Sequence, residues 1–284
     1  MMKVGLVLEG GSLRGLYSAG VLDTFMDHDI QIDGMIGVSA GALFSPNYFS
    51  KQKGRALRYN KKFCKDKRFM SIHSWLTSGN LVNKQFAFYD ITLKHDIFDN
   101  ETFMRNNSGY YVTVSDVESG KAQYLEVKDV IKEMEKLRAS SAIPLVSQIV
   151  EIDGKKYLDG GVADSIPVKQ AMKMGYEKII VIQTRDQSYR KKPLSKLVMK
   201  LVELKYRKYP NFIQTMKNRY LHYNQTLDEI HELKAKGQIF VIQPSKPLSI
   251  KSLEKDPNQL QAVYDLGVSD CKEMIFALKQ YLNS

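Results

Sequence analysis

Gly37-Val38-Ser39-Ala40-Gly41 follows the apolar pair Met35-Ile36 and places a serine between two glycines. This pattern is typical of a nucleophile elbow, a sharp strand-to-helix turn that exposes a hydroxyl at the end of a sheet. Side chains at Gly37 and Gly41 would collide across such a turn, and glycine also tolerates strained dihedral angles. Ser39 is therefore the candidate nucleophile, although short Gly/Ser patterns also occur in ordinary loops.

A glycine-rich segment, Glu9-Gly10-Gly11-Ser12-Leu13-Arg14-Gly15, lies one predicted strand earlier. Such a turn presents unpaired N–H groups beside the positive end of a helix dipole, where an anion is stabilised. A nucleotide phosphate loop is disfavoured, because the segment has neither a Gly-Lys-Ser/Thr ending nor G-x-G-x-x-G spacing. A tight turn without chemistry is the other alternative. With an elbow serine one strand later, an oxyanion hole is the better interpretation, and its candidate residues are Gly10, Gly11, Ser12, Leu13 and Arg14.

An activated serine needs a proton acceptor, and Asp159 is the best candidate. It ends a predicted hairpin over residues 149–158 and precedes Gly160 and Gly161, which would let the backbone and the serine approach closely. In the chain order Ser, Asp, His, only His222 and His231 could act as base, and both lie in a charged helical region. We therefore favour a Ser-Asp dyad over a triad. An Asp-Gly-Gly loop without chemistry is the alternative.

Together these motifs resemble the patatin-like phospholipases, in particular their bacterial members. The loop at 10–15, the elbow at 37–41 and the Asp-Gly-Gly at 159–161 have the order and spacing of that family, and residues 139–144 resemble its segment before the base. The resemblance covers roughly residues 4–172. It implies a three-layer α/β fold, in which helices flank a mainly parallel central sheet.

The resemblance also implies acyl transfer to water through an acyl-serine. Ser39 would attack a phospholipid or lysophospholipid ester, Asp159 would take its proton, and amides around Gly11 and Ser12 would bind the oxyanion. The family usually carries a third consecutive glycine where this chain has Ser12, so a positive φ there would strain the serine. Arg14 would order the loop or meet a phosphate head group; an exposed position in the first helical turn is the alternative.

The order of apolar runs predicts an α/β layered sheet that is largely parallel in its core. The predicted strands are 3–8, 33–37, 110–115, 121–127, the hairpin 149–158, 178–183 and 239–243, and the predicted helices are 15–28, 40–50, 129–137, 167–174 and 257–281. Residues 4–172 form the predicted catalytic core. Residues 173–284, with a basic helical insertion at 190–236, form a continuation that we expect to pack on the same domain.

The chain is basic, with 42 Lys and Arg against 31 Asp and Glu and a formal net charge of +11. Positive residues concentrate in 51–68 and 190–208, and we expect that both segments could contact an anionic membrane peripherally. In the second segment five apolar residues recur at helical spacing, Leu194, Leu197, Val198, Leu201 and Leu204. Such a helix could contact an anionic membrane beside the site, act as a lid, or pack its leucines on the core. No nucleic-acid motif accompanies the charge, so nucleic-acid binding is disfavoured.

Two cysteines, Cys64 and Cys271, are too few for a disulfide framework and favour a reducing compartment. No apolar run approaches the roughly 18 residues of a membrane span, and no signal-peptide pattern is present. We expect a cytoplasmic protein, with peripheral membrane contact as an option, that uses no cofactor or metal, because no residue cluster has ligand spacing. The alternative to a lipid acyl hydrolase is a basic membrane-associated or scaffold protein with a degenerate site, for which Ser12 is the first suspect.

Overall fold

The computed structural model describes residues 2–284, and its centre is an eight-stranded, mainly parallel sheet. The strands are β1 (Val4–Leu8), β2 (Gly34–Val38), β3 (Gly109–Asp116), β4 (Ala122–Glu126), β5 (Val150–Ile152), β6 (Lys155–Asp159), β7 (Lys178–Ile182) and β8 (Ile239–Ile242). Their order is β5-β6-β3-β2-β1-β7-β8, and β4 pairs with β3. The pairs among β3, β2, β1, β7 and β8 are parallel, and the pairs that involve β4, β5 and β6 are antiparallel.

Helices cover both faces of this sheet. They are α1 (Gly15–Asp27), α2 (Ala40–Phe44), α3 (Pro46–Phe49), α4 (Arg55–Phe63), α5 (Ile72–Ser78), α6 (Asn100–Arg105), α7 (Met134–Ser140), α8 (Val168–Lys173), α9 (Lys196–Lys205), α10 (Pro210–Ala235) and α11 (Pro257–Asn283), with a π-helix at Lys84–His95. Leu6 and Ile180 pack on the face covered by α1 and α11, whereas Val7 and Val181 pack on the face covered by α8 and α10. Because alternate residues of a strand face opposite sides, both faces are buried and the strands are apolar throughout. The predicted three-layer α/β fold is confirmed.

The path of β3 brings the end of β6 beside the end of β2. Thr113 of β3 pairs with Val38, the last residue of β2, and β3 continues past this point to Asp116. β6 pairs with this extension in the opposite direction and ends at Asp159, opposite Val114. A carboxylate and the turn after β2 therefore meet at the carboxyl edge of the parallel strands, where α/β sheets bind their ligands.

The chain after residue 172 adds two strands to the same sheet. β7 pairs with β1 in parallel, from Val4 with Lys178 to Leu8 with Ile182. The residues after β7 then lie beside the glycine-rich loop: Thr184 donates from its N–H to Glu9 Oε2 at 2.7 Å and from its hydroxyl to the Gly10 carbonyl at 2.9 Å. The continuation therefore builds part of the edge at which Ser39 and Asp159 lie.

Three predicted helices differ from those observed. The helix predicted at 40–50 is two helices, α2 and α3, because Pro46 has no N–H and begins a new helix. The helix predicted at 129–137 begins only at Met134, since the Asp129 carboxylate accepts the N–H groups of Ile131 and Lys132 and holds a turn. The predicted insertion at 190–236 is divided into α9 and α10 by a break before Pro210.

Candidate active site

Ser39 lies in the sharp turn between β2 and α2, which begins at Ala40. Its backbone has φ 53° and ψ −120°, a conformation that costs a residue other than glycine about 1–3 kcal/mol. Ser39 is 8% exposed, and its N–H donates to Ser140 Oγ at 3.0 Å. The surrounding strand, helix and α7 hydroxyl therefore hold a strained turn in one orientation.

Asp159 lies within hydrogen-bond distance of this serine. Ser39 Oγ donates to Asp159 Oδ2 at 2.7 Å, and the Gly161 N–H donates to Oδ1 at 2.7 Å. Burial raises the pKa of Asp159, whereas the hydrogen bond from Ser39 and the charge of Arg219 lower it, and the net effect is a raised pKa. A buried carboxylate with a raised pKa is a stronger base than a solvated one, and at this distance it can accept the serine proton.

The glycines of the serine elbow and of the Asp-Gly-Gly loop are needed because neighbouring atoms pack closely against them, and not because their backbone is left-handed. A Cβ on Gly37 would lie 2.6 Å from Ala42 Cα, and a Cβ on Gly160 would lie 2.2 Å from the Thr113 carbonyl oxygen. Their partners Gly41 and Gly161, like Gly37 and Gly160, have φ outside the positive range. The strained dihedral angle that the sequence analysis associated with the elbow glycines therefore falls on the nucleophile position itself.

The glycine-rich loop lies directly beside Ser39. Gly10, Gly11, Ser12 and Arg14 line the same cavity as the dyad, and Leu13 is buried towards a neighbouring apolar cavity. The Arg14 N–H donates to the Gly11 carbonyl at 3.1 Å and is thereby occupied. Among residues 2–284, the N–H groups of positions 10–13 have no hydrogen-bond acceptor. These amides, rather than that of Arg14, are the available donors for an oxyanion.

Ser12 has the second strained backbone of the site, with φ 51°. Ser12 occupies the position at which patatin-like proteins usually carry a third glycine. The expected strain is present, because the φ of this serine is positive. Ser12 Oγ donates to the Ser252 carbonyl at 3.3 Å, which connects the loop to the segment before α11. The loop therefore holds a serine in a conformation that glycine would adopt at little cost.

Two cavities of different character meet at Ser39. The first is apolar and encloses about 1110 Å³, counting the part open to solvent. Its wall includes Leu43, Phe44, Phe69, Phe88 and Met134. The second is polar, and its charged lining residues are Glu9, Arg14, Asp159, Arg185, Lys191 and Arg219. An apolar space of this size can take an acyl chain, whereas the polar space suits a charged or hydrated group.

Three of these charged residues, Arg185, Lys191 and Arg219, were missed by the sequence analysis. Arg185 follows closely after β7. Residues just after parallel strands meet at the carboxyl edge of the sheet, so this position could have indicated from the sequence that Arg185 lies near the site. Lys191 lies in a loop and Arg219 on α10, and neither belongs to a recognisable motif. Only the folded chain brings them to Asp159.

The histidine alternatives lie away from the site. His222 and His231 are exposed on α10. Across residues 2–284, no histidine lines either cavity beside Ser39. A histidine base in place of Asp159 therefore has no support from the geometry.

Metal-ligand clusters and membrane-spanning helices are both absent from residues 2–284. No group of three or more His, Cys, Asp or Glu side chains between residues 2 and 284 is arranged to hold a metal ion. No helix in that part of the chain combines the length and the apolar character that crossing a bilayer requires.

The fold and the site define a three-layer α/β protein with a serine elbow, an adjacent aspartate and a glycine-rich loop. The family model for patatin-like phospholipases matches residues 6–172, more than half of the chain. The protein therefore belongs to the patatin-like phospholipase family, and this membership supports lipid ester hydrolysis. A domain of unknown function, DUF6363, matches residues 209–283.

Individual proteins are similar to this chain over different lengths. The chain is 28% identical over 273 residues to the uncharacterized protein YjjU of Escherichia coli K12, which covers 93% of this chain and 75% of that protein. It is 25% identical over 193 residues to lysophospholipase NTE1 of Meyerozyma guilliermondii, covering 63% of this chain and 12% of that protein. Among solved structures, VipD from Legionella pneumophila is similar, with a TM-score of 0.47 and 9% identity over 97% of this chain and 67% of that chain.

Proposed function

We propose that the protein is a serine acyl hydrolase that cleaves carboxylic esters of phospholipids or lysophospholipids through an acyl-serine intermediate. The hydrogen bond of 2.7 Å from Ser39 Oγ to Asp159 Oδ2 carries this proposal. It joins a strained serine to a buried carboxylate of raised pKa, at the junction of an apolar and a polar cavity. These are the parts that a nucleophile and its general base require.

In the first half of the reaction, Ser39 Oγ attacks the ester carbonyl carbon while Asp159 accepts its proton. The tetrahedral oxyanion is bound by free loop amides such as those of Gly11 and Ser12, and each donor of this kind contributes about 2.7–4 kcal/mol to the barrier reduction. Asp159 then returns the proton to the leaving oxygen, and the alcohol part of the lipid departs. The acyl group stays on Ser39, with its chain in the apolar cavity.

In the second half, a water molecule replaces the departed alcohol. Asp159 takes a proton from the water, whose oxygen attacks the acyl-serine carbonyl. Collapse of the second tetrahedral intermediate releases the fatty acid, and the proton returns to Ser39 Oγ. Both halves use one base and one oxyanion site, so no further proton carrier is required.

We also propose that α9 contacts an anionic membrane. Its Leu197, Leu201 and Leu204 are 71%, 48% and 69% exposed, whereas Val202 is buried. The leucines therefore do not pack on the core, which was one of the three alternatives for this helix. Lys205 Nζ donates to the Leu145 carbonyl at 3.2 Å, which connects α9 to a segment whose Ile143, Val146 and Ser147 line the apolar cavity. Exposed leucines flanked by lysines suit an anionic lipid surface.

The other basic segment, 51–68, is less suited to membrane contact. Arg55 and Arg58 pair with Asp96, and Arg68 pairs with Asp66. Five lysines of the segment form no ion pair in the described residues, so charge alone does not separate it from α9. We assign the membrane contact to α9 because α9 has exposed leucines, whereas 51–68 exposes no large apolar side chain. A cytoplasmic location, and a core at 4–172 that forms one domain with the continuation at 173–284, stay predictions.

The enzyme and the inactive scaffold are distinguished by a fluorophosphonate probe together with hydrolysis of p-nitrophenyl butyrate. We expect labelling and turnover in the wild type and neither in Ser39→Ala. Ser18→Ala is the matched control, because Ser18 is also buried and its hydroxyl has no partner in the structure. Absence of labelling in the folded wild type would favour the scaffold and contradict the proposal.

A further inference from the structure

The polar cavity beside Asp159 is strongly positive. Its cationic lining residues are Arg14, Arg185, Lys191 and Arg219, and its acidic lining residues are Glu9 and Asp159. The cations come from the glycine-rich loop, the segment after β7, the following loop and α10. Four separate parts of the chain thus direct positive charge to one space next to the nucleophile.

The two carboxylates of this cavity already have other partners. Glu9 accepts the Tyr223 hydroxyl at 2.6 Å and the Thr184 N–H at 2.7 Å. Asp159 accepts Ser39 Oγ and the Gly161 N–H. Neither carboxylate is hydrogen-bonded to one of the four cations, and two carboxylates offset only part of the charge of four cations, so the lining keeps an excess of positive groups.

The cations themselves make few contacts with acceptors. Among residues 2–284, none of the four forms a salt bridge. Arg14 Nε is buried without a hydrogen-bond partner. This N–H is therefore free to donate to an anion that enters the cavity.

Aromatic rings and main-chain groups fix the positions of the other three cations. The Arg185 guanidinium lies 4.1 Å from the centre of the Tyr189 ring, and the Lys191 ammonium lies 4.2 Å from that of Tyr223. Arg219 Nε donates to the Gly161 carbonyl at 2.6 Å. Stacked and tethered cations lose less conformational freedom on binding an anion than mobile surface lysines do.

The charges also repel one another. The pKa of Lys191 is lowered to about 7, chiefly by burial and then by the charges of Arg219, Arg185 and Arg14, against the opposing effect of Glu9. A cluster that disfavours its own charge is unfavourable for the empty protein. A bound anion would offset this repulsion, and this is the physical reason to expect one.

We propose that this cavity binds the phosphate of a lipid head group that carries no cation, so that the preferred substrate is an anionic phospholipid or lysophospholipid. This inference rests on the proposed function, because the ester of the same lipid has to reach Ser39. In a glycerolipid only a few bonds separate the acyl ester from the phosphate. The polar and apolar cavities both meet at Ser39, so head group and acyl chain occupy them together.

A head group with a quaternary amine fits this cavity less well. Its ammonium would add a further positive charge to a lining in which cationic side chains already outnumber carboxylates. Arginine forms bidentate contacts with phosphate, and three of the four cations are arginines. The sign of the cavity therefore favours a net negative head group over a zwitterionic one.

The kinetic test compares dihexanoyl phosphatidic acid with dihexanoyl phosphatidylcholine, both as monomers, by release of hexanoic acid. We expect the wild type to have a kcat/KM about tenfold higher for phosphatidic acid, as one or two charge-assisted hydrogen bonds would give. Lys191→Met and Arg185→Gln should lower this ratio of kcat/KM values severalfold. Lys191→Arg, which keeps the positive charge, should leave the ratio close to that of the wild type. Lys192→Met, which removes the exposed neighbouring charge, should leave the ratio unchanged.

The ratio separates recognition from damage to the fold, since a variant that is merely less well folded loses both activities in the same proportion. Equal rates of the wild type on the two lipids would overturn the proposal. An unchanged ratio in Lys191→Met and Arg185→Gln, with both proteins folded, would overturn it as well.

A binding test keeps the inference independent of turnover. Ser39→Ala protein, which lacks the nucleophile, is titrated with dihexanoyl phosphatidic acid and with inorganic phosphate by calorimetry. We expect the lipid to bind at least tenfold more tightly than inorganic phosphate, because the acyl chains add apolar contacts, and Lys191→Met in the same background to weaken it about tenfold.

The outcomes of the binding test are distinct. Equal affinity for the lipid and for inorganic phosphate would indicate a site for a free anion. Absence of binding by either ligand would show that the cavity is not an anion site. Each of these results would overturn the proposal. If the wild type shows neither turnover nor labelling of Ser39 while the lipid still binds, the proposed hydrolysis fails and the head-group site stands.

Discussion

The chain up to residue 172 and the chain beyond it bring different chemistry to the cavity at Ser39. The first part supplies the hydroxyl, the carboxylate and the loop amides, which lie within hydrogen-bond distance of one another or next to the serine. The second part supplies Arg185, Lys191 and Arg219, which surround this group without ion pairs in the described residues. From this difference we predict that substitutions in the first part abolish turnover, whereas substitutions in the second part mainly change the choice of substrate.

Asp159→Asn gives the largest expected effect and tests the first part alone. An asparagine keeps the shape but cannot accept the serine proton, so we expect kcat to fall roughly 10⁴-fold, as for other triad and dyad substitutions. The measurement is hydrolysis of p-nitrophenyl butyrate, with Asp153→Asn in the β5–β6 turn as control. Full turnover by Asp159→Asn would show that Asp159 is not the base, and would contradict the assignment of bond cleavage to the chain up to residue 172.

Arg219→Gln tests the coupling between the two parts. Asp159 has to be ionised to act as base. The value of kcat/KM should therefore be low at pH values below the raised pKa of Asp159 and should increase as the pH rises through that pKa. The Arg219 charge opposes the rise in this pKa, and its removal should therefore move the acid limb of the profile to higher pH and lower the rate about tenfold near the limb. Arg207→Gln, at an exposed position after α9, is the control. An unmoved acid limb would show that the two parts act independently.

Lys191→Met tests whether the second part has a stability penalty. The pKa of Lys191 is lowered from 10.5 to about 7, so the folded state binds this proton more weakly than the unfolded state. The buried positive charge therefore lowers the free energy of unfolding. This loss is complete below pH 7 and declines between pH 7 and 10.5, where the folded state releases the proton before the unfolded state does. We expect Lys191→Met to raise the free energy of unfolding by about 1–2 kcal/mol at pH 6, with a smaller gain at pH 9. Thermal unfolding at both pH values measures it, and a destabilised variant would contradict it.

Ser12→Gly gives the smallest expected effect. Glycine relieves the left-handed strain at φ 51° and removes the 3.3 Å hydrogen bond to Ser252, so we expect a net gain of at most about 1 kcal/mol and a rise in Tm of about 2–4 °C. Turnover should be kept, because the amide of this position stays in place. Asp153→Gly, at φ 51° in a distant turn, is the matched control. Loss of turnover in Ser12→Gly alone would assign a role to the serine hydroxyl.

Short patterns in the sequence predicted the layered fold and the neighbourhood of Ser39 and Asp159. They did so because strands, turns and glycines obey local steric rules, and because parallel strands end at one edge. Local rules failed where side chains compete with helix formation. The Asp129 carboxylate and the ring of Pro46 each interrupt a helix that apolar spacing alone predicted.

The sequence by itself predicted the elbow, the glycine-rich loop and the pairing of Ser39 with Asp159. The first two depend on residues close together in the chain, and the third rested on an order and spacing that resemble one family. Only the tertiary structure decided that Arg185, Lys191 and Arg219 line the same cavity as Asp159, and that the leucines of α9 are exposed. Charge adds up through space, over distances that the chain order does not encode. Exposure depends on which face of a helix the rest of the core covers, and the apolar spacing of α9 did not specify that face.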